Sequence, residues 1–487
     1  MKLALQKRTK VVATISDRRC DMEFLQELYE LGMNVVRINT AHQTPDSSLR
    51  IVENVRKISS KIGILVDTKG PEVRTTKMSN DTGFEVAAGD TVRMLGKPDG
   101  LSSSEALYLN YAGFADDVPD GASVLIDDGD IQLKVVGRQQ NELLCEVQNG
   151  GVIRGRKTVN VPGAHFNLPS LSARDLEYIH WAVDHNLDFI AHSFVRTKDD
   201  VLAVQRILDE RRSHIKIIAK IENRQGVDNI DEILEHAYGI MVARGDLGVE
   251  LELEEIPGVQ QLLIEKCHTC GKPVIIATQM LHSMIEHPRP TRAEVTDVAN
   301  AIYQRSDAIM LSGETAGGQY PVEAVRTMSK IAIVVEKDLR SYVGQPNVGI
   351  KDKVAVVLAK AAVQASDELP IRAFVTDTFT GRLPRFLAAF RSKVPVYAMC
   401  YIDHVIRELS LSYGVYCYAA TPFRTNAEFS HFALKFLREQ GCLTNADMVT
   451  MMAGNYHARG ATTYMEIGIV KNLLSEINQE DYRSLEV

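Results

Sequence analysis

Eight short apolar runs punctuate the first two thirds of the chain: Val11–Ile15, Val35–Asn39, Ile62–Thr68, Phe189–Phe194, Ile217–Ile221, Ile240–Ala243, Val274–Thr278 and Ala308–Ser312. They are continuous rather than alternating, the pattern of parallel strands covered on both faces. Helical signals fall between them. Ser172 to Asp175 reads as a capping box, with Leu176, Ile179, Ala182 and Val183 following at helical spacing. Pro257 predicts the start of a helix that runs through Leu262 and Leu263 to a Gly271 stop. Pro321 predicts another, with Val322, Val325, Met328 and Ile331 towards the core. Strands and helices in this alternation predict an α/β fold whose centre is a (β/α)8 TIM barrel.

Between Pro71 and Pro162 the rhythm changes. Ser123–Asp127, Ile131–Val136 and Leu143–Val147 are short and strand-like, with turns at Asp120-Gly121, Asp128-Gly129 and Gly150-Gly151. This predicts a small β-barrel domain inserted after the third barrel strand, over 71–162. An insertion there lies on the face of the catalytic loops and makes a natural lid. The barrel itself takes 1–70 and 163–345. From about Gly349 a second alternation begins: helix Val354–Ser366, then strands Ala373–Thr376, Val394–Met399 and Val415–Ala419 with helices between and after them. It predicts a C-terminal open α/β domain over 346–487.

Composition narrows the function. A chain of 487 residues is too long for one core. A net charge of -8, without a basic cluster, argues against a nucleic-acid face. The first ten residues lack a signal peptide's apolar stretch, and no run approaches the roughly 18 apolar residues that span a bilayer. A cytoplasmic protein with no membrane partner is expected. The 7 cysteines are scattered, against a disulfide framework. Cys267 and Cys270 have redox or zinc spacing, but they close a helix rather than open one, which favours ordinary packing.

Polar clusters collect where the later strands end: Lys220-Ile221-Glu222-Asn223, Ala243-Arg244-Gly245-Asp246, Ala277-Thr278-Gln279, Pro288 to Glu294, and Leu311-Ser312-Gly313-Glu314-Thr315-Ala316. A barrel enzyme carries its chemistry at that mouth. A lysine, two carboxylates able to hold a metal, hydroxyls and arginines suit a highly charged, phosphorylated substrate.

These segments, with Asp67-Thr68-Lys69-Gly70-Pro71-Glu72-Val73-Arg74 and Asn160-Val161-Pro162-Gly163, resemble the signature motifs of the pyruvate kinase family, in family order. The resemblance, of the bacterial type, covers nearly the whole chain. It implies phosphoryl transfer from phosphoenolpyruvate to ADP, giving pyruvate and ATP in the last step of glycolysis, with Mg²⁺ (or Mn²⁺) and K⁺. It also implies a homotetramer.

Residue by residue, the resemblance assigns Lys220, Thr278 and Arg37 to catalysis. Lys220 would sit beside the transferred phosphoryl and the enolate, where fixed positive charge acts on the transition state. Thr278 would help protonate the enolate carbon through water, and Arg37 would meet phosphate. Glu222 and Asp246 supply hard oxygens for Mg²⁺. The backbone around Gly245 could receive the substrate carboxylate. Arg74, Lys157 and His42 match nucleotide contacts, and Asn39, Asp67 and Thr68 match ligand positions for K⁺. Ser193, Arg244, Ser312, Glu314 and Glu72 are supporting residues. Thr378, Thr380, Gly381 and Arg382 match the phosphate-effector loop.

Three departures stand out. The family's Asn-Phe-Ser-His reads Asn39-Thr40-Ala41-His42, which deletes a K⁺ hydroxyl ligand. Its Ile-Gly-Pro reads Ile15-Ser16-Asp17, which disturbs the adenine side. The effector loop carries Phe379 and Leu383 where polar residues are usual. A barrel aldolase or lyase acting on the same enolate is the rival enzyme, but it needs no ADP lid with Arg74 and Lys157. A catalytically dead sensor is the rival non-enzyme, yet Lys220, Glu222, Asp246 and Thr278 are all present.

Overall fold

The computed structural model describes residues 7–80, 82–339, 353–454 and 462–475. Eight strands close into a parallel barrel: β1 (Lys10–Thr14), β2 (Met33–Asn39), β3 (Gly63–Asp67), β4 (Phe189–His192), β5 (Lys216–Ile221), β6 (Gly239–Ala243), β7 (Val274–Ala277) and β8 (Ala308–Leu311), with β8 pairing back onto β1. Each predicted run became a strand. The inner face packs Val12, Val35, Leu65, Phe189, Ile218 and Met241 into one core. The outer face, including Val11, Val36, Ile190 and Ile240, packs against the helices. Both faces are apolar, and for that reason the runs do not alternate.

The helix signals also hold. Ser172 caps Ala173–Asp184, and its partner in the capping box is Asp175. Ile256–Cys270 begins with Pro257 in its first turn and stops at Gly271, whose φ of 63° is left-handed. Pro321 opens Pro321–Val335. Cys267 is buried at its helix end, and burial pushes its thiol pKa up, so it packs rather than reacts.

In the inserted region a six-stranded sheet runs in the order Val159–Asn160, Ser123–Ile126, Ile131–Gln139, Glu142–Val147, Thr91–Gly96, Leu107–Leu109, and Phe84–Val86 pairs separately with Gly151–Ile153. Its two edges are joined by the entering chain. Thr75 N–H donates to Lys157 O at 2.9 Å and Val159 N–H to Val73 O at 2.9 Å, while Thr76 N–H donates to Tyr108 O at 2.9 Å and Asn110 N–H to Arg74 O at 3.0 Å. Four residues thus close the small barrel where a full strand would otherwise stand.

The C-terminal sheet has the order Val415–Ala419, Val396–Cys400, Ile371–Thr378, Met448–Gly454, Thr462–Ile469. The first four are parallel and the last is antiparallel. Three of the five were predicted. The first of them is longer than its apolar run, so Thr378 ends a strand and is not a loop residue. Arg407 Nε donates to Asp188 Oδ1 at 2.6 Å, which ties this sheet's helix Asp403–Glu408 to the foot of β4. Among the described residues no helix is long and apolar enough to cross a membrane.

Candidate active site

Strand ends bring the predicted residues together. Lys220, one residue before the end of β5, points its ammonium at three oxygens: Glu222 Oε1 at 2.8 Å, Asp67 Oδ1 at 3.0 Å and Ser193 Oγ at 2.7 Å. It is 8% exposed. Burial alone would lower its pKa, but the charges of Asp67, Glu222 and Asp246 outweigh that and raise it. Lys220 is therefore a fixed cation at neutral pH.

Asp67, at the end of β3, is the hub. Its other oxygen accepts from Arg37 Nε at 2.6 Å, and Arg37 also donates to Thr14 Oγ1 at 3.0 Å. Burial opposes its ionisation, yet Arg37 and Lys220 hold its carboxyl below the usual range. Ser193 Oγ donates to Thr68 O at 2.7 Å, and Ser193 N–H donates to Thr68 Oγ1 at 3.0 Å. The ends of β3 and β4 are thereby locked to each other.

Glu222 is buried, and its second oxygen accepts the Phe194 N–H at 2.6 Å. Phe194 delivers that N–H from a left-handed backbone, φ 55°. Burial pushes the Glu222 carboxyl up, against the pull of Lys220 and with the help of Asp246. Asp246 is raised too, first by burial, with Asp128 and Glu72 adding to it. Two hard carboxylates, both pushed up by burial and by neighbouring negative charge, are a chemical fit for a divalent cation, which would relieve both. Among the described residues no three Asp, Glu, His or Cys side chains are arranged to hold a metal, so this pair would share the ion with ligands of other kinds.

Asn39 and Asp67 are register partners across the β2–β3 ladder, so an amide and a carboxylate stand side by side. Thr68 follows directly. These oxygens suit a monovalent cation, although Asn39 Oδ1 here accepts the Ala41 N–H at 3.1 Å. Thr40 is buried, its hydroxyl unpartnered among the described residues, and Ala41 and His42 are exposed.

Thr278 and Gln279 follow β7 in the left-handed region, φ 65° and 51°. A β-branched residue there is strained, a common mark of functional loops. Thr278 Oγ1 accepts the Gly245 N–H at 2.8 Å, so the amide expected to meet a carboxylate already has a partner. Arg244 turns away. Its guanidinium bonds Asp297 at 2.7 Å and the carbonyl of Thr278 at 2.8 Å, and so braces the β6 and β7 loops. Glu314 is a second brace, accepting N–H groups from Leu281 at 3.0 Å and Ser312 at 2.8 Å. The Ser312 hydroxyl is buried without a partner among the described residues.

A cavity of about 300 Å³ separates the barrel mouth from the inserted domain. Glu222, Asp246 and Glu250 line it from the barrel, Glu72 and Asp128 from the other wall. Its arginines, Arg196 and Arg224, are already paired with Asp200 and Glu255. Arg74 and Lys157 are also engaged: Arg74 Nε with Glu72 at 2.5 Å, Lys157 Nζ with Asp127 at 2.7 Å. The cleft is acidic, and it favours an anion that arrives with its own cation.

Sequence reasoning missed Glu250. It ends the short helix that Arg244 begins, accepts from Asn160 Nδ2 at 3.5 Å across the hinge, and burial, with the charge of Asp246, raises it to about 7. Its signal lay in the same motif, four residues after Asp246. Ser16 is spent on Ala316 O at 2.6 Å. In the C-terminal domain Thr378, at its strand end, accepts on Oγ1 from Gly381 N–H at 2.8 Å and Thr380 N–H at 3.3 Å, while Phe379 packs on Tyr401 with ring centroids 4.4 Å apart.

Comparison with known proteins agrees with this geometry. The family model described as pyruvate kinase, barrel domain, matches residues 6–325, and that of the pyruvate kinase alpha/beta domain matches 357–468. The chain is 43% identical over 479 residues to a pyruvate kinase of Borreliella burgdorferi, covering 97% of this chain and 100% of that one. It is 42% identical over 482 residues to the pyruvate kinase of Geobacillus stearothermophilus, covering 97% and 82%. A crystal structure of a pyruvate kinase from Cryptosporidium parvum superimposes with a TM-score of 0.89 at 34% identity, covering 96% of this chain and 97% of that one.

Proposed function

The chain belongs to the pyruvate kinase family, and from that premise we propose how its residues carry the reaction. The enzyme transfers the phosphoryl group of phosphoenolpyruvate to ADP, giving pyruvate and ATP. The observation that carries the site assignment is the Lys220 ammonium, buried at the barrel mouth between Asp67 and Glu222.

Phosphoryl transfer asks a protein chiefly for positioning and charge neutralisation. Lys220 and Arg37 meet the phosphate of phosphoenolpyruvate, and Asp67 orients both by taking one in each oxygen. As the phosphoryl leaves, charge develops on the enolate oxygen, and Lys220 stabilises it without reorganising. Glu222 and Asp246 would hold Mg²⁺ or Mn²⁺, which when bound would supply Lewis-acid chemistry to the phosphoryl transfer. The Thr278 hydroxyl, which accepts from Gly245 N–H and donates to Ala277 O, turns to a water that gives a proton to the enolate carbon and regains one from solvent. That exchange frees Gly245 for the substrate carboxylate. A threonine hydroxyl is too weak an acid to act alone, so it relays and positions.

Arg74 and Lys157 exchange Glu72 and Asp127 for the nucleotide phosphates when the inserted domain closes, and the exposed His42 adds a further nucleotide contact. Asn39, Asp67 and Thr68 would hold K⁺, and a water would stand in for the hydroxyl that Ala41 lacks. The assembly is a homotetramer, and the Thr378, Thr380, Gly381, Arg382 turn receives at most one phosphate, because Phe379 and Leu383 give a second no polar partner. Family membership and the matching motifs support these assignments.

The test is a steady-state assay of ATP formation from phosphoenolpyruvate and ADP, with Mg²⁺ and with or without K⁺. Turnover that needs both substrates is expected. Release of an aldol or lyase product without ATP would overturn the reading.

A further inference from the structure

A second cavity, of about 80 Å³, lies far from the barrel mouth, between the foot of the barrel and the C-terminal sheet. Lys10 and Lys61 line it from the barrel, Ser410, Tyr416 and Cys417 from the other side. Among the described residues its wall contains two lysines and not one carboxylate. Lys10 is 3% exposed; its Nζ donates to Val415 O at 2.6 Å and stands 4.7 Å from the centre of the Tyr416 ring. Lys61 Nζ sits 3.8 Å over the Tyr418 ring. Neither ammonium has a carboxylate partner among the described residues. Glu336, the carboxylate that acts most strongly on Lys10, is spent on the backbone N–H groups of Arg8 and Thr9. The Ser410 hydroxyl is buried beside them without a partner among the described residues.

Two cations, Lys10 buried and Lys61 half-buried, face a shared void without an anion, an unsatisfied arrangement because burial of unpaired charge is costly. A small negative group in the void, accepting from Lys61 and Ser410, completes it. The cavity holds the volume of two to three waters at about 30 Å³ each, which matches a group of three heavy atoms. We propose that Lys10 is a carbon dioxide capture site, its amine forming a carbamate that Lys61 neutralises and Ser410 hydrogen-bonds.

The step balances without any redox partner. The neutral Lys10 amine gives its lone pair to the carbon of CO₂, a C–N bond forms, and one C=O π pair moves onto oxygen. The nitrogen then releases one proton to solvent, leaving N–COO⁻. The amine is available because burial lowers the Lys10 pKa to about 8, against the opposing pull of Cys417, Glu336 and Asp307. At neutral pH roughly a tenth of it is unprotonated. A covalent group is favoured over a free anion because the attacking nitrogen already stands in the wall, so no separate ion need be immobilised.

The test uses the full chain equilibrated with ¹³C-labelled bicarbonate and CO₂ near neutral pH. Triethyloxonium traps carbamates as ethyl esters, and peptide mass spectrometry locates the label. Labelled ethyl carbamate on Lys10 is expected, with at least about fivefold less in Lys61→Met. An unlabelled Lys10 peptide in the wild-type protein overturns the proposal by itself, whether or not any variant folds. Equal labelling in Lys61→Met, confirmed folded by circular dichroism, would also overturn it. So would an unlabelled Lys10 alongside a melting temperature raised by inorganic phosphate, which would make the cavity a free-anion site.

Discussion

Gly245 donates its backbone N–H to the hydroxyl of Thr278 at 2.8 Å, across the gap between two barrel strands. The bond joins a residue assigned to carboxylate binding to one assigned to proton relay. It also holds a β-branched residue at φ 65°. Thr278→Gly relieves that strain, of order 1–3 kcal/mol, while losing some stability through a freer unfolded chain. The melting temperature should change by only a few degrees, while kcat falls at least about a hundredfold. A parallel loss of both in calorimetry and kinetics would make Thr278 a structural residue.

Lys220→Met should lower kcat by several orders of magnitude, about 4 kcal/mol or more, with little change in KM for phosphoenolpyruvate. The structure adds a second consequence. Removing the ammonium leaves Asp67, Glu222 and Asp246 without their shared cation, so the variant should also unfold more easily at pH 8 than at pH 6. A variant that keeps about a tenth of wild-type kcat would sink the assignment.

Glu250 gives a separate pH test. Its folded pKa, about 7, lies above the usual carboxylate value. Between the two values the native state holds a proton that the unfolded chain has released, so this group's contribution to stability falls as pH rises towards 7. Glu250→Gln carries no such cost. Its stability relative to wild type should therefore improve from pH 5.5 to pH 8 in urea titrations. A constant difference would mean that Glu250 titrates normally.

K⁺ should be required but bound about tenfold more weakly than with a full set of ligands, roughly 1.4 kcal/mol. Ala41→Ser should lower the K⁺ concentration for half-activation. Ala41 is exposed, so the change should leave the melting temperature alone. Full activity in buffer free of K⁺ and Na⁺ would overturn the proposal.

Fructose 1,6-bisphosphate should not activate strongly. The N–H groups of Thr380 and Gly381 are already satisfied by Thr378, and Leu383 is buried. A fall of about tenfold in KM for phosphoenolpyruvate at micromolar bisphosphate would refute this.

The barrel was legible because burial on both faces leaves an unbroken apolar run, as at Phe189–His192. Phe84–Val86 and Leu107–Leu109 were not, because three residues carry too little pattern to separate from a loop. Met448–Gly454 was hidden by its methionines, which favour no one element, and Thr462–Ile469 is a half-exposed edge strand. In the site, residue types were readable from motifs but their pairings were not. Arg37 and Asp67 are 30 positions apart, and nothing local announces that they share a bond. The engagement of Arg74 with Glu72 and of Lys157 with Asp127 is likewise a product of the fold.

The hydrogen bond from Val159 N–H to Val73 O brings the two ends of the inserted domain within a single backbone contact. The barrel therefore sees everything between them as a stitch rather than a span. In evolutionary terms, such a module can be gained or lost in one recombination event without stretching its host. In the laboratory, the same geometry makes the segment a cassette. A short glycine turn joining Val73 to Val159 should leave a barrel that folds, and so let the host's enolate chemistry be measured apart from nucleotide closure.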